Sequence, residues 1–409
     1  MRLTFAFVAV GLVAADWPQW LGPNRDGTST EAVKPWTEPP KVLWRADVGE
    51  GHSSPVVAAG RVYLMDKVPE KDIERLRAFD VADGKQLAKA EAPRTTFASM
   101  FGAGPRATPY VAGDGRVLTF GVTGNLASRH LLPRPGGEAL KDWNIGLLEQ
   151  FKASNLRFGV SASPLVEGDK VVALVGGKGA SVVAIDSKSG EVVWKALDDA
   201  ASYAAPIAID HAGHRVVVCL TGAGVIALDP KDGALLWRHP FRDLLQESST
   251  TPVKVGDLLI ASSVTLGSVA LKLVEKEGKP AIEQAWKNAQ LNCYFSTPVS
   301  VGDHLYMVTG VLSRNPSVTL RCVETKTGKV LWSKEKIGKY HAALLRTGDN
   351  KLLMHTDGGE LMLIDPTPTE YKELAKAKVC GETWAHPALC DGRLYVRDAK
   401  ELLCLKVSD

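Results

Sequence analysis

The sequence predicts an all-β fold, an eight-bladed β-propeller whose blades are four-stranded antiparallel sheets. Three observations predict it: one hairpin sequence recurs along the 409 residues, a second strand pattern precedes each hairpin, and the last repeat lacks a strand that the N-terminal region can supply. Four-stranded antiparallel units at a fixed spacing are typical of propeller blades, because a single blade cannot bury both of its faces. We therefore expect one closed ring rather than several domains.

The recurring hairpin is clearest in three copies, VVAIDSKSGEVVW (182–194), VIALDPKDGALLW (225–237) and LRCVETKTGKVLW (320–332). In each copy an acidic residue stands four positions before a Gly and eight before a Trp. The carboxylate can accept hydrogen bonds from amides of the turn, and the Gly can take the positive φ that a tight hairpin needs. The pattern predicts the third and fourth strands of a blade, here called strands C and D.

A second pattern precedes each hairpin: a small residue and usually Pro, an apolar run, a turn that usually contains Gly, and another apolar run. It predicts strands A and B, because Pro is tolerated at the first residue of a strand. Eight copies occur, beginning at residues 54, 108, 163, 205, 251, 297, 343 and 386. From Pro55 to Pro387 there are 332 residues over seven intervals, a mean spacing of about 47 residues.

The eighth repeat ends after ELLCLKV (401–407) without a strand D, whereas VLWRADV (42–48) precedes the first repeat and carries a hairpin-type Trp. We predict that residues 42–48 complete the last blade and close the ring. At the end of strand D a Trp can pack in the seam against the next blade, and this is the structural role predicted for Trp44, Trp143, Trp194, Trp237, Trp286 and Trp332. Blades 1 and 7 have Ala88 and Glu373–Leu374 there instead, which predicts weaker seams.

The N-terminal sequence predicts three segments. Residues 1–15 have one Arg, an apolar run and small residues before Asp16, which is typical of a secretory signal peptide cleaved after Ala15. Residues 16–41 show no strand period and predict an irregular arm packed on the ring, with a partner-binding tail as the alternative. Residues 42–409 are predicted to form the single propeller. No other segment is long and apolar enough to span a membrane, so we expect a periplasmic or secreted protein without a transmembrane segment in the mature chain.

Charge and cysteine content exclude some classes of function. The net charge of +3, without a run of Lys or Arg, argues against nucleic-acid binding. Six cysteines in an exported protein permit disulfides but do not require them. Cys322 and Cys404 occupy a small-residue position of the hairpin, which predicts packing, and a Cys380–Cys390 bridge stays open. No Cys/His spacing indicates a metal site.

The repeats carry a family resemblance. The SP…G-VY…ALD…TG…W pattern resembles the pyrroloquinoline quinone (PQQ)-like propeller repeat, which is shared by quinoprotein alcohol and glucose dehydrogenases and by the propeller lipoprotein of the outer-membrane β-barrel assembly machinery. DWPQWLGPNRDG (16–27), GPRATP (104–109) and GRLYVRDAKELLCLKV (392–407) are more similar still to exported PQQ-like propellers of planctomycetes and related bacteria. The alternative, a WD40 propeller, fits less well, because the chain has no Trp-Asp dipeptide.

The resemblance implies a second possible function. Quinoprotein dehydrogenases hold PQQ between a Trp floor and a disulfide of adjacent cysteines, with calcium bound by Glu and Asn and an Asp as base. This chain has no adjacent cysteines. Trp384 could take the place of the Trp floor, and Glu247 or Asn292 could act as a calcium ligand. Each is a single residue, and the other residues of the quinone and calcium sites are not found with it.

Function in a propeller is expected where the D–A and B–C loops converge around the axis. These loops hold aromatic and cationic candidates that could bind a small anion, a sugar or a peptide, although such loops also simply fill and solvate the channel. The funnel-mouth candidates are His52, Arg106, Arg157, Lys178, Tyr203, Tyr294, His341, Trp384 and His386. His211 and His214 are expected on the opposite face, in solvent.

We therefore predict an exported, non-catalytic propeller that binds an envelope protein or a small ligand, with a role in cell-envelope assembly and no cofactor. The alternative is a PQQ- and calcium-dependent quinoprotein dehydrogenase that acts on alcohols or sugars.

Overall fold

The computed structural model describes residues 16–132, 141–310 and 313–408, so the predicted signal peptide lies outside the described residues. The described residues form eight four-stranded antiparallel sheets and one short helix. The predicted eight-bladed propeller is confirmed. No helix of the described residues is long and apolar enough to cross a membrane.

The strands follow one another in chain order, four to a blade. The first strand in the sequence, β1 (Lys41–Asp47), belongs to blade 8. Blade 1 consists of β2 (Val56–Ala58), β3 (Arg61–Lys67), β4 (Ile73–Asp80) and β5 (Gln86–Pro93), and blade 2 consists of β6 (Tyr110–Val111), β7 (Val117–Phe120), β8 (Asn125–Arg129) and β9 (Trp143–Gly146). Blade 3 consists of β10 (Leu165–Glu167), β11 (Lys170–Gly177), β12 (Ala180–Asp186) and β13 (Val192–Ala196), and blade 4 consists of β14 (Ile207–His211), β15 (His214–Leu220), β16 (Gly224–Leu228) and β17 (Leu235–Pro240). The helix α1 (Leu147–Gln150) lies in the loop between blades 2 and 3.

The second half of the ring repeats this order. Blade 5 consists of β18 (Val253–Val255), β19 (Leu258–Ser263), β20 (Gly267–Lys276) and β21 (Lys279–Asn288), and blade 6 consists of β22 (Val299–Val301), β23 (His304–Gly310), β24 (Val318–Glu324) and β25 (Val330–Gly338). Blade 7 consists of β26 (Ala342–Arg346), β27 (Leu352–Thr356), β28 (Glu360–Asp365) and β29 (Lys372–Lys378). Blade 8 consists of β30 (Ala388–Cys390), β31 (Arg393–Arg397) and β32 (Glu401–Lys406), and β1 completes it.

The ring is closed by a latch, defined here as the pairing of β1 with β32. The two strands run antiparallel, from Lys41 opposite Lys406 to Asp47 opposite Glu401. Blade 8 therefore has the order β1-β32-β31-β30, and its fourth strand comes from the other end of the chain. The predicted closure by the N-terminal strand is confirmed.

A tryptophan on strand D fills the seam between neighbouring blades. In the seam between blades 2 and 3, the Trp143 indole N–H donates to the Ser187 carbonyl at 3.1 Å. Gly190 has a φ of +78°, and a Cβ placed there would lie 2.9 Å from the Trp143 ring. The Asp186 carboxylate accepts from two turn amides at 2.7 and 3.0 Å, which fixes the turn against which the indole packs. The same indole-on-glycine contact joins Trp44 to Gly84, Trp194 to Gly233 and Trp286 to Gly328.

The seam between blades 4 and 5 is built differently, because β20 and β21 form a long hairpin of ten residues each, and its turn glycine meets no indole. His211 takes the place of the turn. Its Nδ1 accepts from the Trp237 indole N–H at 3.4 Å, and its Nε2 donates to the Val274 carbonyl at 2.8 Å. The expectation that His211 is solvated is therefore wrong, since the side chain is buried, whereas His214 is exposed.

The hydrophobic core lies between the blades. In the seam between blades 1 and 2, where Ala88 occupies the position of the Trp, the buried cluster includes Val56, Tyr63 and Val117. A larger cluster spans blades 7, 8 and 1, and Leu374 packs against it. The seam between blades 1 and 2 is thus packed by smaller side chains, whereas Trp36 of the arm packs against the cluster of blades 7, 8 and 1.

The arm, residues 16–41, crosses the axis of the ring. Trp17 pairs with Val57 of β2, and Thr28 pairs with Arg346 of β26. Between them Arg25 is buried, and its guanidinium donates to the carbonyls of three residues that precede β10 and β14, namely Ser163, Pro164 and Pro206. Because these contacts involve blades 1, 3, 4 and 7, residues 17–28 run across the inner ends of the blades.

Candidate functional site

A cavity of about 120 Å³ lies on the axis, where the D–A loops converge. We call it the axial pocket. Its lining brings together seven of the candidates named from the sequence: His52, Arg106, Tyr203, Tyr294, His341, Trp384 and His386. The rest of the lining, which the funnel candidates did not include, is Trp20, Phe101, Phe158, Ser161, Ala205, Glu247, Ser249 and Phe295. Lys178 is exposed on the turn between β11 and β12 and does not line the pocket.

Phe101 joins the aromatic side chains of the pocket into one cluster. Its ring centroid lies 4.7 Å from that of Trp384 and 5.4 Å from that of Phe158. Phe295 stacks on Tyr294 at 3.7 Å and also contacts Trp384 at 4.9 Å. Because these rings come from four different D–A loops, the cluster ties blades on several sides of the ring together across the axis.

Arg106 holds the loop that carries Phe101. Its Nε donates to the Phe158 carbonyl at 2.5 Å, and one terminal nitrogen donates to the Gly102 carbonyl at 2.9 Å. Burial lowers the pKa of Arg106 to about 10. Since its donors are directed at backbone carbonyls, Arg106 positions the loop and has little capacity left for an anion.

Glu247 places a carboxylate at the wall of the pocket. The Tyr294 hydroxyl donates to Glu247 Oε2, and burial together with this carboxylate raises the pKa of Tyr294. Arg157, whose side chain is 71% exposed, lies 3.6 Å from Glu247 Oε1 and over the Phe158 ring. Arg157 therefore belongs to the rim of the pocket and faces solvent.

Three histidines of the pocket are neutral: His341 and His386 are buried, and His52 is half-buried. His52 has its Nε2 2.7 Å from the Phe101 carbonyl and stacks on Trp384 at 5.5 Å. Burial, together with the charge of Arg106, lowers the pKa of His52 to about 4, and burial lowers the pKa of His341 to about 4. Burial also lowers the pKa of His386 far below its usual value.

Trp20 brings the arm into the pocket. Its indole N–H donates to the Thr251 hydroxyl at 2.9 Å, and its ring lies 4.6 Å from His386. Thr251 precedes blade 5 and His386 precedes blade 8, so Trp20 bridges two blades that are three positions apart in the ring. The sequence signal for this contact was the Trp content of a segment without strand period, which indicates packing but does not say where.

A family model described as outer membrane protein assembly factor BamB matches residues 74–334, well over half of the chain. The chain belongs to this family of PQQ-like propellers. The predicted resemblance is confirmed. No curated protein matches the chain.

Solved structures share the propeller of this BamB-like chain at low sequence identity. BamB from Moraxella catarrhalis is 16% identical with a TM-score of 0.57, and the match covers 88% of this chain and 97% of that one. The quinohemoprotein alcohol dehydrogenase from Comamonas testosteroni is 13% identical with a TM-score of 0.68, over 96% of this chain and 80% of that one. At these identities the likeness concerns the fold.

The axial pocket of this family member does not fit PQQ with calcium. PQQ is a planar tricarboxylate of three fused rings, whereas the cavity is about 120 Å³ and Phe101 and Phe295 already contact Trp384, the residue that would form the floor. All six cysteines are described and each is a free thiol. In the described ranges, no group of three or more His, Cys, Asp or Glu side chains is placed to hold a metal ion.

Proposed function

We propose that this chain is an exported, non-catalytic scaffold that binds a partner protein of the cell envelope through its loop face, defined as the face of the ring that carries the D–A and B–C loops. The family description, an outer membrane protein assembly factor, supports this class of function. The predicted location outside the cytoplasm is part of the same proposal.

The observation that carries the proposal is a pair of leucines on the loop between blades 4 and 5. The side chains of Leu244 and Leu245 are 80% and 47% exposed. Large apolar side chains at the centre of a protein interface supply much of its binding energy, whereas in a free monomer they gain nothing from exposure.

The loop that carries the two leucines is held in place by a buried carboxylate. Asp243 is 3% exposed and accepts from the Leu245 amide at 2.8 Å and from the Ser263 hydroxyl at 2.7 Å. The Leu244 amide donates to the Thr265 hydroxyl at 3.1 Å. A loop fixed in this way loses little conformational entropy on binding, which favours affinity.

The charge around the leucines indicates the chemistry of the partner. Arg242 is exposed beside them, and the Arg157 guanidinium reaches the same loop at Glu247. We infer that the partner presents apolar side chains next to acidic ones.

The test is capture from the envelope fraction with the full-length protein as bait. We expect the double substitution Leu244→Asp and Leu245→Asp to abolish capture of the specific partner, and Arg157→Glu to weaken it. The matched control is Leu235→Asp, because Leu235 is 43% exposed on the outer strand β17, away from the loop face. Arg106 is unsuitable for this experiment, since its guanidinium holds backbone carbonyls.

Two results would contradict the proposal. Either capture unaffected by the leucine substitutions, or equal loss with Leu235→Asp, would show that the loop is not the binding surface.

The quinoprotein dehydrogenase alternative finds no support in the packing of the axial pocket. Adding PQQ and Ca²⁺ to the purified protein and following dye reduction with alcohols or aldose sugars tests it. We expect no turnover above the background without protein, and measurable turnover would overturn the non-catalytic assignment.

A further inference from the structure

Two histidines of the axial pocket have ring nitrogens without a hydrogen-bond partner. They are Nδ1 and Nε2 of His386 and Nε2 of His341, and the residues are only 3% and 2% exposed. Within the described part of the chain nothing pairs with the two nitrogens of His386, whereas the Phe295 carbonyl lies near the His341 ring and opposes the lowering of its pKa. A buried polar group without a partner is unfavourable by about 1–3 kcal/mol, and such groups in folded proteins are few.

The chemistry of the two rings specifies what could satisfy them. Each imidazole is held neutral by its burial, and a neutral imidazole presents one N–H donor and one nitrogen acceptor. The ring centroids of His341 and His386 lie 5.3 Å apart, so one group placed between them could reach both. A hydroxyl group suits this position, because it donates one hydrogen bond and accepts others.

The remainder of the pocket suits a single flat ring. Its lining includes the aromatic side chains of Trp20, Phe158, Tyr203 and Phe295. Its volume of about 120 Å³ is somewhat below that of an engineered apolar cavity of about 150 Å³ that binds benzene. A planar aromatic molecule of this size would pack against the walls in the offset and edge-to-face arrangements that aromatic rings favour.

An organic cation fits these residues less well than a neutral ring. The carboxylate of Glu247 already accepts from Tyr294 and pairs with Arg157, and the half-buried guanidinium of Arg106 adds a positive charge to the lining. An ammonium ligand would therefore meet a repulsive charge and a carboxylate that is already partnered.

We propose that the axial pocket binds a small neutral phenol, a single aromatic ring whose hydroxyl group hydrogen-bonds to His386 and His341 while the ring packs between Trp20 and the Phe and Tyr walls. The protein-binding proposal rests on Leu244 and Leu245, which do not line this pocket. Failure of one proposal therefore leaves the other unaffected.

The test uses the purified full-length protein and three probes, phenol, toluene and choline, in isothermal titration calorimetry. Toluene has the size and shape of phenol without the hydroxyl group, and choline is a small cation. We expect saturable binding of phenol, and binding of toluene about tenfold weaker or more, which is the effect of one or two net hydrogen bonds. Choline should not bind measurably.

Variants locate the site. We expect His386→Leu to weaken phenol binding about tenfold and to leave toluene binding unchanged. The matched control is His355→Leu, because His355 is an equally buried histidine with an unpartnered Nδ1 that does not line the pocket. It should bind phenol like the unmodified protein. If His386→Leu does not fold, His341→Leu serves the same purpose. The comparison of phenol affinity with toluene affinity also tests the proposal in the unmodified protein, where no variant has to fold.

The proposal is overturned if phenol does not bind at millimolar concentration, if toluene binds as tightly as phenol, if choline binds more tightly than phenol, or if a folded pocket variant binds phenol normally.

Discussion

The outer seams and the axis of the ring use buried aromatic residues in different ways. At the seams, each strand-D indole packs on the next blade, and its N–H has a partner, as in the bond from Trp286 to the Thr325 carbonyl at 2.9 Å. At the axis, aromatic rings crowd around a cavity, and the nitrogens of His386 have no partner. A buried indole whose N–H is satisfied contributes to stability, whereas unsatisfied buried groups beside a cavity are typical of a binding site.

Among the substitutions proposed here, we expect the largest effect at the latch. Trp44 lies on β1, its indole N–H donates to the Val81 carbonyl at 2.9 Å, and its ring covers Gly84. We expect Trp44→Ala to lower the free energy of unfolding by about 3–5 kcal/mol, measured by urea denaturation. The control is Leu43→Ala on the same strand, where Leu43 is 37% exposed and the change should stay within about 0.5 kcal/mol. Equal effects of the two substitutions would show that the indole does not fasten the ring.

Glycine substitutions separate the seam contact from backbone conformation. Gly233 and Gly60 have similar φ values of +76° and +73°. A Cβ added at Gly233 would lie 2.6 Å from the Trp194 ring, whereas a Cβ added at Gly60 would have no atom within 4 Å. We expect Gly60→Ala to destabilise the protein by about 1 kcal/mol through backbone strain. Gly233→Ala should cost about 1–3 kcal/mol more, because the indole must move. Similar unfolding free energies for both variants would contradict the seam contact.

The lowered pKa of His52 at the axis predicts acid sensitivity. The pKa of His52 is about 4 in the folded protein, lowered by burial and then by Arg106, against about 6.5 when unfolded. The unfolded state therefore binds more protons between these values, so stability is fully present above pH 6.5 and is lost as the pH falls towards 4. From pH 7 to pH 5 we expect a loss of about 2 kcal/mol from this group.

The corresponding measurement is urea denaturation at pH 7 and pH 5. We expect His52→Gln to remove about 2 kcal/mol of the difference in unfolding free energy between the two pH values. His214→Gln, at an exposed histidine, should leave the difference unchanged. An unaltered difference in His52→Gln would show that His52 does not titrate in this way.

The seams without a Trp allow a smaller test. We expect amide hydrogen exchange in β5 and β29 to be faster than in β13 and β21, because neither β5 nor β29 carries a Trp of its own to pack on the next blade. Mass spectrometry of peptides from these strands measures the difference. Equal protection in all four strands would show that the indole is not needed for a tight seam.

The outer seams could be predicted from the sequence because the residues that form them repeat. The acidic residue, the Gly and the Trp recur at fixed spacing, and each spacing corresponds to one geometric requirement of the hairpin. His211 shows the limit of this reasoning, since the long hairpin of blade 5 removes the usual turn and leaves a histidine to complete the seam.

The axis could be predicted only in part, because its residues do not repeat. The convergence of the D–A loops indicated His341, Trp384 and His386, but no pattern singled out Phe101 as the centre of the cluster. Trp20 reaches the pocket through the arm, whose path depends on tertiary contacts such as those of Arg25.

The most direct test of the contrast between the outer seams and the axis is the unfolding free energy of His386→Leu, measured by urea denaturation at pH 7 without added ligand. If the nitrogens of His386 lack partners, replacing the ring by an apolar side chain of similar volume removes an unsatisfied polar group, and we predict a stability equal to or above that of the unmodified protein. A loss of about 2 kcal/mol or more would mean that His386 stabilises the fold as the seam tryptophans do, and would contradict the account.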